Sequence, residues 1–110
     1  MENDDTDFAT VAEAVLEGLA DTVDDVLGDE IDVELHGGIL TLSLSDGGQY
    51  VINKHQPNRE IWMSSPASGA WHFAHAGGRW LSTREPRAVL TQLLAAELAA
   101  KYGRDIAFEV

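Results

Sequence analysis

Ile31-Asp32-Val33-Glu34-Leu35-His36-Gly37-Gly38-Ile39-Leu40-Thr41-Leu42-Ser43-Leu44 alternates apolar and polar side chains on either side of a glycine pair. A period of two sends successive side chains to opposite faces of a strand. Ile31, Val33 and Leu35 therefore share a buried face, and Asp32, Glu34 and His36 the other. Leu40, Leu42 and Leu44 repeat the pattern against Thr41 and Ser43, and Gly37-Gly38 supplies the turn. The stretch predicts a half-buried hairpin.

Downstream, Asp46-Gly47-Gly48 is another turn signal. A third strand is expected from about Gln49 to Lys54, a break at Pro57-Asn58, and a fourth strand at Glu60–Ser64. Trp71–His75 and Arg79–Ser82 are short candidate strands around Gly77-Gly78. Upstream, Asp4 to Leu27 reads as a long amphipathic helix, with Asp4, Asp5 and Thr6 as N-cap candidates and Gly28 as the stop. Its expected buried face is Phe8, Val11, Ala12, Val15, Leu19, Thr22 and Val26, with Glu13, Glu17, Asp21 and Asp24 opposite. A last helix should carry Pro86 in its first turn and end at Gly103, with Val89, Leu90, Leu93, Leu94, Glu97, Leu98 and Tyr102 on one face. Ile106 and Phe108 should fold back onto the core. The order helix, strand meander, helix predicts an α+β, two-layer sandwich: an antiparallel sheet of five to seven strands with both helices on one face. No repeat or linker divides residues 1–110, so one domain is expected.

Nineteen acidic against seven basic residues give 110 residues a formal charge of −12. Residues 1–53 hold fourteen carboxylates and no Lys or Arg, whereas residues 54–110 carry a net +2. The sign excludes nucleic-acid binding as the default. The absence of an apolar run near 18 residues excludes a membrane-spanning helix. Zero cysteines exclude disulfides and thiolate chemistry. The acidic start, Met1-Glu2-Asn3-Asp4-Asp5, is unlike a secretory or mitochondrial leader, so a cytoplasmic protein is expected. No nucleophile–base motif, zinc motif or phosphate loop is present. His72 and His75 are three apart in a strand and so face opposite sides; His36 and His55 read as surface histidines. Carboxylate oxygens on the helix suit hard cations, ferric iron among them, and ferrous iron and other divalent cations are compatible with the same ligands. A convex helix surface cannot enclose an ion, so weak, exchangeable binding is expected, with divalent cations raising the melting temperature by screening repulsion. Alternation turns Asn53 and Trp62 away from the helices, either as an interaction surface or beneath the 66–72 loop.

Tyr50-Val51-Ile52-Asn53-Lys54-His55-Gln56-Pro57-Asn58-Arg59-Glu60-Ile61-Trp62-Met63-Ser64-Ser65-Pro66-Ala67-Ser68-Gly69 resembles the signature stretch of the frataxin family. Gly38-Ile39-Leu40-Thr41-Leu42 is similar to the family's second strand and Leu93-Leu94-Ala95-Ala96-Glu97-Leu98 to its last helix. The resemblance, closest to the bacterial branch, implies a role in iron–sulfur cluster assembly through binding to the cysteine desulfurase and the scaffold protein. It also implies weak binding of ferrous and ferric iron at Glu13, Glu17, Asp21, Asp24, Asp25, Asp29, Glu30, Asp32 and Glu34. Asn53 and Trp62 would contact the assembly machinery, together with His55 and Glu60, which replace the family's usual glutamines, and His72, where an arginine is frequent. A protonated His72 in that role would give binding that weakens as the imidazole loses its proton. Trp80 matches a further family tryptophan. The resemblance implies a monomer with iron-induced oligomers. Two rival readings are a ferroxidase, iron-storage or iron-chaperone protein, and an acidic decoy that mimics DNA; the decoy would need charge on several faces.

Overall fold

A computed structural model describes residues 4–108, with the side chains of residues 4–7 outside the description, so the capping roles expected of Asp4, Asp5 and Thr6 lie outside the described residues. Helix α1 spans Asp4–Leu27. Six strands follow: β1 Ile31–His36, β2 Ile39–Leu44, β3 Gln49–His55, β4 Glu60–Ser65, β5 Gly69–Ala76 and β6 Arg79–Ser82. Helix α2 spans Leu90–Tyr102. The strands form one antiparallel meander in sequence order, β1 to β6, as the alternation and glycine turns predict.

One face of the sheet carries Leu40, Leu42, Ile52, Ile61, Met63 and Phe73, all buried. Both helices cover that face, α1 over β1–β3 and α2 against β6. Ile106 closes the core, and Phe108 packs against it.

Two expectations need correction. The buried face of α1 is Phe8, Ala12, Val15, Leu16, Leu19, Ala20, Val23 and Leu27, whereas Val11 is exposed and Thr22 and Val26 only half-buried. At about 100° per residue, the buried sector lies roughly 60° closer to the carboxylate stripe than expected. Leu16, Val23 and Leu27 outweigh Val11 and Thr22, and the stripe consequently borders the sheet instead of standing opposite it. The second correction is that α2 begins at Leu90, after an extended N-cap at Val89, with Pro86 outside the helix. Residues 82–88 fold into a loop first: Ser82 donates its N–H to the Ala88 carbonyl (2.8 Å) and accepts the Ala88 N–H on its hydroxyl (2.8 Å). Leu81 bridges to Val89.

The turn from β4 to β5 is fastened to α2 by one carboxylate. Glu97 accepts hydroxyl hydrogen bonds from Tyr50 (2.7 Å), Ser65 (2.7 Å) and Ser68. Ser65 in turn accepts the N–H groups of Ala67 and Ser68, both at 3.0 Å. Trp71 donates its indole N–H to Ser68 (2.8 Å), and the Arg84 guanidinium stacks 3.6 Å above the Trp71 ring. Burial, then the hydrogen bond to Glu97, pushes the Tyr50 phenol above its ordinary range.

Candidate functional site

The carboxylates of the first half divide about the β1 edge. Glu17, Asp21 and Asp24 are exposed on α1 and border a groove against Val33 and Leu35 of β1. Asp32 and Glu34 occupy the alternate positions of β1 and are exposed on the opposite, outer face of the sheet. Asp25 lines a second hollow with Thr22, Val26 and Ala107, which Asp21 also borders.

Three of the nine candidate iron ligands already have cationic partners within the chain. Glu13 accepts a hydrogen bond from Lys54 (2.6 Å). Arg104 binds both oxygens of Asp29 (2.8 and 2.7 Å), donates to the Val26 carbonyl (2.7 Å) and lies 3.8 Å from Glu30. The bidentate contact holds the Asp29 carboxyl below its usual range. It also satisfies a carbonyl at the C-terminal end of α1, where a cation complements the helix dipole. Among the described residues, no three His, Asp or Glu side chains converge around one point as an enclosed metal site would require. The geometry offers an open anionic rim suited to shared or rapidly exchanging cations.

On the outer face of the sheet, strand register aligns Ile39, Asn53, Trp62 and His72 in one row across β2–β5. Trp62 is half-buried, and its cover comes from β3 and from β5, the latter through His72, the last residue of the 66–72 stretch expected to lie over it. The His55 and His72 imidazoles stack on its two faces, with ring centroids 3.6 and 4.1 Å away and interplanar angles of 11° and 6°. Glu60 accepts the indole N–H at 2.8 Å and lies 3.8 Å from His72 Nδ1. The expectation of isolated surface histidines therefore fails for His55: β3 and β4 bring it over Trp62, and its Nδ1 is buried without a hydrogen-bond partner. Trp62 can offer a partner its edge, while its faces present through the flanking imidazoles. Asn53 donates to the Lys54 carbonyl at 3.2 Å, which orients its amide on the same face. His75 lies apart, 4.8 Å from the ring of Trp80. Trp80 is buried against Phe8 and belongs to the core.

Sequence reasoning missed Ile39, 47% exposed and in line with Asn53 and Trp62. Its parity with Thr41 and Ser43 carried that signal, since Leu40, Leu42 and Leu44 already filled the inner face. It also missed the groove beside β1, where Val33 and Leu35 are incompletely covered.

Comparisons with known proteins agree with this architecture. A family model described as "Frataxin-like domain" matches residues 1–104. The iron-sulfur cluster assembly protein CyaY of Neisseria meningitidis serogroup C is 37% identical over 105 residues, covering 96% of this chain and 95% of the relative. Among solved structures, a frataxin from Psychromonas ingrahamii superposes with a TM-score of 0.84 at 20% identity, over 96% of this chain and 98% of that one. A trimeric frataxin from the yeast Saccharomyces cerevisiae, complexed with ferrous, superposes with a TM-score of 0.70 at 33% identity, over 94% of this chain and 89% of that one.

Proposed function

Because the chain belongs to the frataxin family, we propose that it acts in iron–sulfur cluster assembly as an iron-binding regulator of the cysteine desulfurase and scaffold complex, working as a single domain over residues 1–110. The observation that carries this reading is the likeness, over nearly the full length of both chains, to a protein named for iron–sulfur cluster assembly. The site geometry supplies the means. Glu17, Asp21, Asp24, Asp32 and Glu34 form an anionic rim without cationic partners among the described residues, free to attract basic surfaces and hard cations. Ferrous or ferric iron binds there weakly as a passenger; the ferrous-complexed yeast relative supports iron as the ion.

On the outer face, Asn53, Trp62 and His72 dock against the assembly machinery, with His55 and Glu60 holding the indole in place. If Trp62 anchors that contact, Trp62→Ala costs on the order of 2 kcal/mol of binding. Calorimetric titration of purified desulfurase–scaffold complex checks this; wild-type affinity in the variant would remove Trp62 from the interface. Iron storage in an oligomer is the second reading, favoured by the trimeric state of the yeast relative. Oxygen consumption and particle size during aerobic addition of ferrous iron separate the two.

A further inference from the structure

Strand β1 is an edge of the sheet, paired with β2 on one side. An edge strand directs the N–H and C=O groups of alternate residues away from its neighbour, where they can receive another strand. The other edge, β6, is only four residues long, and Leu81 on it bridges to Val89. Along β1 the space under α1 is open. A hollow of about 410 Å³ is bordered by Leu16, Leu35, Glu17, Glu13 and the Lys54 that neutralises Glu13, and a second of about 340 Å³ by Ala20, Val33, Leu35, Asp21 and Asp24. Glu17 and Leu35 line both, so the two form one groove with an apolar floor and an anionic wall. Leu35 is 37% exposed there, on the outermost strand of the sheet.

We infer that the β1 edge accepts, by strand addition, an extended segment of a protein partner in which lysines or arginines alternate with apolar residues. Inward-facing cations lay their alkyl stems on Val33 and Leu35 and carry their charged ends to Glu17, Asp21 and Asp24. On the outer face, where the segment's apolar residues lie, Asp32 and Glu34 add to the attraction through their field alone. Charge complementarity selects this occupant. Two β1 edges meeting would bring Asp32 and Glu34 of each copy side by side, and like charges across a strand pair repel. The same carboxylates protect the edge from self-pairing, and the apolar floor gives it a use beyond protection. The inference rests on the reading of this rim as partner-facing and gives that partner a chemistry.

The test uses the full chain and a capped octapeptide of alternating lysine and valine. A second peptide of identical sequence, N-methylated at alternate residues, keeps the charges and loses the donors for strand pairing. Strand addition predicts that the first peptide binds, slows hydrogen exchange at alternate amides of residues 31–36, and outcompetes the second. The pair Glu17→Lys and Asp21→Lys should weaken it by about tenfold. Equal binding of both peptides, or binding without protection of β1 amides, overturns the inference, as does failure of the first peptide to bind. A chain that fails here yet still binds the desulfurase complex loses strand addition alone; one that also fails to bind that complex loses the functional reading too.

Discussion

Glu97 and Glu17 both project from helices packed on the same sheet, yet their surroundings differ completely. Three hydroxyls close around Glu97, and its carboxylate fastens β3, the β4–β5 turn and α2 together. Glu17 lies on a groove wall beside Asp21 and Asp24. A carboxylate whose lone pairs are filled by the fold contributes to stability, because removing it strands its donors. A carboxylate left to solvent contributes field and ligand capacity at a small cost in repulsion. The molecule thus separates structural from available acid by what each oxygen touches.

That contrast can be broken most strongly at Glu97. Glu97→Ala leaves the hydroxyls of Tyr50, Ser65 and Ser68 without their acceptor and should cost about 3 kcal/mol in urea unfolding, with Glu97→Gln losing less. A variant of wild-type stability would show the network to be incidental. The same enclosure has an alkaline signature. The folded Tyr50 phenol ionises above its unfolded value, so its contribution to stability is complete below the ordinary phenol range and declines as pH rises through and beyond it. Denaturant midpoints measured in the Tyr102→Phe background, with tyrosinate absorbance followed alongside, report this. Ionisation of Tyr50 at the free phenol's pH would contradict the enclosure.

The rim should respond in the opposite sense and by less. Glu17→Lys replaces a carboxylate flanked at i−4 by Glu13 and at i+4 by Asp21, and should stabilise the fold by about 0.5 kcal/mol at low salt, less at high salt. It should also weaken binding of the desulfurase complex, which Glu97→Gln should leave unchanged provided it folds. A Glu17→Lys variant that is destabilised would mean that the groove wall is structural after all.

Much of this was legible in the chain. Alternation at Ile31–Leu44 and the glycine turns specify the meander, and the motif from Tyr50 to Gly69 points to the family and to the outward turn of Asn53 and Trp62. Pairwise relations between distant residues were not legible. The His55–Trp62–His72 stack requires three strands in register, and strand parity alone gives faces without giving neighbours across them. Glu97 was placed by spacing on an apolar helix face, between Leu94 and Leu98; a charged residue there was itself a sign of buried partners. The rotation of α1 was missed because Val11 and Val26 satisfy the helical period about as well as Leu16 and Leu27, and only packing on the sheet decides between them.

The central claim is that the open carboxylates beside β1, and not the enclosed one on α2, form the cation-facing surface. Anaerobic titration of the isotopically labelled chain with ferrous iron, followed by amide NMR, tests it most directly. Paramagnetic broadening should begin at Glu17, Asp21, Asp24, Asp32 and Glu34 and spare Ser65, Ser68 and Glu97. Broadening centred on the Glu97 network, or spread evenly over the chain, would contradict the account.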